Sequence, residues 1–267
     1  MTKIIKIPTH TASTLTDYLN CIKEISCNDP IDDKNIYRCF RGQANKRWQI
    51  KPSLFRKGVE NEYKMLTEAR RILRQDLDGY NSLEQLAFLQ HYGLPTRLLD
   101  VTQNPLVALY FACLPAPDNK DADGAVYIAC MNKTPNAQAE DVSEVLFKNE
   151  NIEKLLISLP NDSEDFKKWK DLLTKNHFIL PPINNERLER QSGAFVLTQI
   201  LQYLIPYKKY QLYVFGITEV FKNRIVIPYS DKIRILEDLR DCGIHEGFLF
   251  PDVEHKIKYI TQTVLHK

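Results

Sequence analysis

The 267 residues hold 36 lysines and arginines against 34 acidic residues, a formal net charge of +2, with 43% hydrophobic and 26% charged residues. This composition is that of a globular protein. It excludes collagen-like and disordered classes, and it leaves any nucleic-acid binding to a local basic patch rather than to overall charge. No apolar run approaches the ~20 residues that cross a membrane as a helix, and Met1 to Pro8 lacks the roughly 7–15-residue apolar core of a secretion signal. The six cysteines, at 21, 27, 39, 113, 130 and 242, include no C-x-x-C pair, which argues against a structural zinc site and for a reducing, cytoplasmic setting.

In chain order, Leu15 to Ile25 reads as an amphipathic helix entered from a Ser/Thr cluster, and Tyr37 to Phe40 as the first core strand. Around that strand Arg38, Arg41, Lys46, Arg47, Lys51, Arg56 and Lys57 interleave with Tyr37, Phe40 and Trp48, the residue types that contact phosphate and stack on bases. The alternative there is a solvated strand and loop. Val59 to Gln75 sets Tyr63, Leu66, Ala69, Ile72 and Leu73 at helical spacing, a face suited to the core.

Ser82 and Gln85 stand at capping-box spacing. They predict a helix from about Leu83 that buries Leu83, Leu86, Ala87 and Leu89 and stops at Gly93, with Pro95 barring continuation. Leu98 to Thr102 reads as a short buried strand. Asn104-Pro105 is an N-cap with proline in the first turn, opening a helix through Leu106, Leu109, Tyr110 and Cys113 to Pro115. Ala125 to Met131 is a strand, and 137–176, with alternating charge and helical periodicity, reads as an inserted helical subregion. Three more strands are predicted at Gly193–Leu197, Leu212–Ile217 and Arg224–Ile227. Asp231 caps a helix ending before Gly243, and an amphipathic helix follows Pro251. The expected organisation is one α+β domain over 1–267 with a helical insertion at 137–176.

Residues 88–112 concentrate the chemistry. His91, Arg97, Asp100 and Thr102 fall on a loop and strand braced by two helices, where rigid elements can hold reactive groups. Each has a plainer alternative: Arg97 and Asp100 as a buried ion pair, and His91 as a cation favoured at a helix C-terminus. Cys39 has no partner His in its motif and suits a small buried hydrophobe better than a nucleophile.

Phe40-Arg41-Gly42-Gln43, Trp48, Pro52-Ser53-Leu54 and Arg56 resemble the signature of the FRG-domain family, and four further blocks, at 90–100, 104–112, 187–195 and 243–252, follow its pattern. The order of elements is also similar to the core of the ADP-ribosyltransferase fold, which implies a mixed or antiparallel sheet with flanking helices. That resemblance implies that Arg41 contacts the pyrophosphate or nicotinamide ribose of NAD, with Gly42 and Gln43 beside it as further cofactor-binding residues. It places Thr102 in the wall of the nicotinamide pocket and Gln191 at the family's glutamine position. No Glu-x-Glu or Gln-x-Glu supplies the usual catalytic acid, and Glu189 and Glu246 are the nearest candidates besides Asp100.

Physical requirements point to the same residues. Transfer from NAD needs the dianionic pyrophosphate fixed and positive charge on the ribose stabilised; Arg41 or Arg97 can supply the first and Asp100 the second. His91 can orient a ribose hydroxyl or take a proton, while Tyr92 and Tyr110 can stack on an aromatic ring. The expected activity is therefore an NAD-dependent ADP-ribosyltransferase. Its acceptor is expected to be nucleic acid, RNA before DNA, held by Arg47, Trp48 and Arg56. Such an enzyme is toxic to its own cell, which implies a toxin–antitoxin or anti-phage effector with a neutralising protein partner. The alternative is a non-catalytic nucleotide or nucleic-acid-binding module. A metal-dependent nuclease is weaker, because Asp76, Asp78, Asp100 and Asp252 lack metal-ligand spacing.

Overall fold

The computed structural model describes residues 7–27, 36–150, 154, 158–160, 163–181, 186–200, 220–253, 257 and 261. In these the chain runs through strand β1 (Thr9–Thr11), helix α1 (Leu15–Cys27), strand β2 (Ile36–Gln43), helices α2 (Leu54–Lys57), α3 (Glu62–Ile72) and α4 (Ser82–His91), strand β3 (Leu98–Thr102), helix α5 (Pro105–Cys113) and strand β4 (Gly124–Asn132). Helices α6 (Asn136–Lys148) and α7 (Glu164–Thr174) follow, then strand β5 (His177–Ile179), helix α8 (Glu186–Arg190), strands β6 (Gly193–Leu197) and β7 (Asn223–Ile227), and helices α9 (Lys232–Asp241) and α10 (Glu246–Leu249). The fold is mixed α+β. None of its described helices is long and apolar enough to cross a membrane.

The seven strands form one sheet in the order β1-β7-β4-β2-β3-β6-β5, with β1 and β7 parallel and the other pairs antiparallel. β2 pairs with β4 along its whole length, from Ile36–Asn132 to Gln43–Ala125. With β3 it makes only the Phe40–Thr102 pair. The sheet therefore opens between β2 and β3 immediately beyond Phe40, and that opening positions the site.

Strand alternation assigns the faces. Phe40, Val126, Ile128 and Ile225 pack under α1, α5 and α9 with Tyr18, Val107 and Leu239. Leu98, Phe195 and Leu197 pack under α3, α4, α6 and α7 with Leu66, Leu86, Leu146 and Leu173. Cys39, Leu99, Val101, Tyr127 and Val196 form a further buried cluster on the other side of their strands. Helix α5 lies unusually close to β2 and β4. A Cβ on Gly42 would overlap the Ala108 carbonyl oxygen and stand 2.9 Å from the Ala112 nitrogen, and one on Gly124 would overlap the Ala112 carbonyl oxygen.

Most predicted elements are present, and the departures have local causes. The box that caps α4 joins Asn81 and Glu84, one residue before the predicted pair: Asn81 Oδ1 accepts from the Glu84 N–H and Glu84 Oε2 from the Asn81 N–H, both at 2.9 Å. Ser82 and Gln85 are instead taken by Arg70, whose Nη2 and Nε donate to their side-chain oxygens at 3.0 and 2.7 Å. Ile72, expected in the core, is 66% exposed at the end of α3. Asp231 makes no side-chain cap to α9, because its backbone is already helical at the end of a 3-10 turn. Gly93 and Gly243 both take positive φ, +91° and +79°, just past helix ends, as predicted. The strand predicted at 212–217 and most of the helix after Pro251 lie outside the described residues.

Candidate functional site

The opening between β2 and β3 is crossed by one side chain. Arg41, on β2, donates from Nη1 to the main-chain carbonyl of Asp100 on β3 at 2.6 Å. Its Nε is buried without a hydrogen-bond partner among the described residues. Burial lowers the pKa of this guanidinium, the Asp100 carboxylate opposes that shift, and the neighbouring Arg56 adds to it. Arginine remains a cation under such pressure. A half-buried cation with a buried, unengaged Nε favours an anion at this place.

Around Arg41 lies a cleft of about 480 Å³, within the size range of small-molecule sites. Its floor is Phe40, Asp100 and Thr102, and its walls come from α4 (Glu84, Phe88, His91), α5 (Val107, Phe111) and the α8 segment (Arg187, Gln191). Of the expected residues, Arg41, Gly42, His91, Tyr92, Asp100, Thr102 and Gln191 all border it.

Its polar groups differ in how far they are committed. Asp100 is exposed, and its Oδ1 accepts from Gln90 Nε2 at 2.7 Å. Gln90 is held in turn by Thr96, whose hydroxyl donates to Gln90 Oε1 while the Thr96 N–H donates to Ser53 Oγ at 3.3 Å. Thr102 Oγ1 donates to the Gln191 carbonyl at 2.6 Å and accepts from the Asn104 N–H at 3.0 Å; Gln191 Nε2 donates to the Leu249 carbonyl at 3.1 Å. Thr102 and Gln191 thus tie β3 to the α8 and α10 segments and shape the cleft. Glu84 is engaged in the α4 cap, so Asp100 is the lining carboxylate left facing a ligand.

Other expected site residues lie elsewhere. Arg97 does not border the cleft: its Nε donates to Glu62 at 2.6 and 2.7 Å and its Nη1 to the Gln199 and Ile200 carbonyls, in a buried ion pair that locks α3 to the start of β3. Its partner is Glu62, not Asp100. Tyr110 is buried in the cluster under α5, where burial raises its phenol pKa, and it offers no face to the cleft. Gln43 is 3% exposed, with neither side-chain amide atom hydrogen-bonded among the described residues, and it also falls outside the lining. Gly42 borders the cleft and also makes room for α5, a packing requirement separate from the expected cofactor contact.

The basic stretch is partly neutralised by its surroundings. Trp48 Nε1 donates to Asp118 at 2.8 Å, holding that carboxyl below its usual range, and Lys46 pairs with Asp123 at 2.7 Å. Arg47 and Arg56 are exposed and do not border the cleft. Glu189 lies in a separate shallow pocket with Arg190 and Phe248, and Glu246 opens α10. Burial pushes the Cys39 thiol up to about 12, which leaves no thiolate for nucleophilic chemistry. Among the described residues no group of three or more His, Cys, Asp or Glu is placed to hold a metal ion.

Four lining or supporting residues were not singled out from the sequence: Tyr80, Phe88, Gln90 and Arg187. Gln90 and Arg187 open two of the blocks quoted above, and Phe88 stands one helical turn before Tyr92, so a signal existed for these three; Tyr80, ahead of the predicted helix, had none.

No curated protein and no solved structure was found to match the chain. The family model described as FRG domain matches residues 37–121, the segment that supplies β2, α4, β3 and α5 and with them Arg41, Gln90, His91, Asp100 and the floor of the cleft.

Proposed function

We propose that the cleft binds NAD and that the protein is an NAD-dependent ADP-ribosyltransferase acting on nucleic acid, RNA in preference to DNA. The observation that supports this reading most directly is the Arg41–Asp100 arrangement: a half-buried guanidinium whose Nε is unengaged among the described residues, beside an exposed carboxylate, on the floor of one cleft. Arg41 takes the pyrophosphate. The bond between ribose C1′ and the nicotinamide nitrogen breaks with its electron pair leaving on nicotinamide, and the carboxylate of Asp100 stabilises the positive charge left on the ribose. An acceptor oxygen or nitrogen then bonds to C1′ and gives its proton to His91 at the rim or to water. The biological corollary is a cytoplasmic toxin or anti-phage effector restrained by a protein partner.

A binding module is the second reading, favoured by one observation: the hydroxyl of Thr102 and the amide of Gln191 are already engaged in structural bonds. One experiment separates the two. Incubated with NAD and RNA, DNA or protein, a transferase releases nicotinamide and leaves ADP-ribose on an acceptor detectable by mass spectrometry. Calorimetric binding of NAD with no nicotinamide released would establish the module and remove the enzyme.

A further inference from the structure

Helix α4 has two faces. Leu83, Leu86 and Leu89 are buried in the core, whereas Glu84, Phe88 and His91, at i, i+4 and i+7, border the cleft. On the cleft side three aromatic rings stand in series: Tyr80 against Phe88 at 5.8 Å between centroids and Phe88 against Tyr92 at 4.6 Å, with the His91 ring edge-on to Tyr92 at 5.0 Å. The outer two are open to solvent, Tyr80 by 36% and Tyr92 by 71%. Phe88 is anchored against the core and the outer rings lean on it, so their rotamers are restricted before any ligand arrives, which lowers the cost of binding a flat partner.

We propose that Tyr80, Phe88 and Tyr92 form a stacking platform for unpaired bases of a nucleic-acid strand at the lip of the cleft. The inference rests on the nucleotide-transfer reading of that cleft and names how the acceptor is held. Three observations favour a strand. A series of rings is longer than one base and can meet successive bases. Every base has a π-face, so the platform suits any sequence, whereas a duplex keeps its bases stacked on each other. A cation stands at hand for the strand's phosphates: Arg187 borders the same cleft, with Arg41 on its floor opposite the carboxylates of Asp100 and Glu84. Tyr92 thereby moves from a cofactor contact to an acceptor contact, and the floor at Arg41 and Asp100 stays open for the donor.

Fluorescence anisotropy of a dye-labelled single-stranded oligoribonucleotide, without NAD, tests this on the full chain. Wild type and Tyr92→Phe should bind alike. Tyr92→Ala, a change at an exposed position that leaves the core untouched, should bind roughly 5- to 150-fold more weakly, the range for loss of one stacked base. A duplex of the same sequence and free adenosine monophosphate should compete poorly. Equal binding by Tyr92→Ala and wild type, no binding by wild type, or competition by the free nucleotide as strong as by the strand would each overturn the platform. Nicotinamide release, assayed separately, distinguishes the two readings. Strand binding without release sinks the transferase and leaves the platform; release without strand binding does the reverse.

Discussion

Arg41 reaches across the opening of the sheet and donates to the Asp100 carbonyl at 2.6 Å, so the guanidinium on the cleft floor is also a brace between β2 and β3. Its planar fork does two things at once, bracing the strand and offering a donor to an anion. Lysine is a point charge and can do one or the other. Arg41→Lys and Arg41→Ala should therefore both remain folded and both lose roughly ten- to hundred-fold in NAD affinity by calorimetry, the effect of one charged hydrogen-bonded contact. A folded Arg41→Ala protein with wild-type affinity and turnover would remove the assignment.

Gln90 is a positioning residue for Asp100. Its amide donates to Oδ1 of the carboxylate and its oxygen accepts from Thr96, which sets the amide's orientation. Gln90→Glu replaces the donor by a second acceptor and repels Asp100. Turnover, read as nicotinamide release, should drop on the order of a hundredfold with little change in KM, since a misplacement near 1 Å can cost that much. A drop in Tm with kcat unchanged would make Gln90 structural only.

Gly42 should tolerate no side chain. The methyl group of Gly42→Ala would enter the space of the Ala108 carbonyl on α5, where backbone, not a flexible side chain, must move. Overpacking of this kind costs up to about 3 kcal/mol and occasionally more, so chemical denaturation should show a stability loss at the top of that range. A stable Gly42→Ala protein that had lost only ligand binding would assign the glycine to the cofactor contact instead.

Stability should fall in mild acid through His177. Burial lowers the pKa of this imidazole from the ordinary 6.5; Nε2 donates to the Leu172 carbonyl at 2.7 Å, which partly opposes the shift, and Lys175 adds to it. The folded protein therefore holds His177 neutral where the unfolded chain takes a proton, so the stability it contributes is complete above pH 6.5 and is lost as pH falls through the folded pKa. His245, also lowered by burial, acts in the same sense. The slope is at most about 1.4 kcal/mol per pH unit for each group. Denaturation between pH 7.5 and 5 should show this loss, reduced in His177→Asn. An unchanged slope in that variant would assign the effect elsewhere.

What could be read along the chain was local. Asn104 before Pro105, Gly93 after α4 and the short apolar run Leu98–Thr102 each act within one turn or one strand, and each appears as predicted. The capping box was displaced by a single residue. Asn81 and Ser82 are both competent caps, and Arg70, folded back from α3, takes the hydroxyl of Ser82. Within 88–112, His91, Arg97, Asp100 and Thr102 stood out because polar side chains interrupt apolar elements there, and all but Arg97 border one cleft.

The sequence by itself determined most of the helices and strands, because periodicity, caps and turn residues act over a few positions, and it singled out Arg41, His91 and Asp100, which border one cleft. Tertiary structure decided which of the charged residues remain available. Arg97 and Asp100 are three residues apart, yet Arg97 turns to Glu62, 35 positions earlier, while Thr102 donates to Gln191, 89 positions later. Gly42 is required by the backbone of a helix 66 positions on at Ala108. A buried charge or donor must be matched by whatever the fold brings within about 3 Å, and that partner depends on how strands and helices pack, which no local pattern encodes.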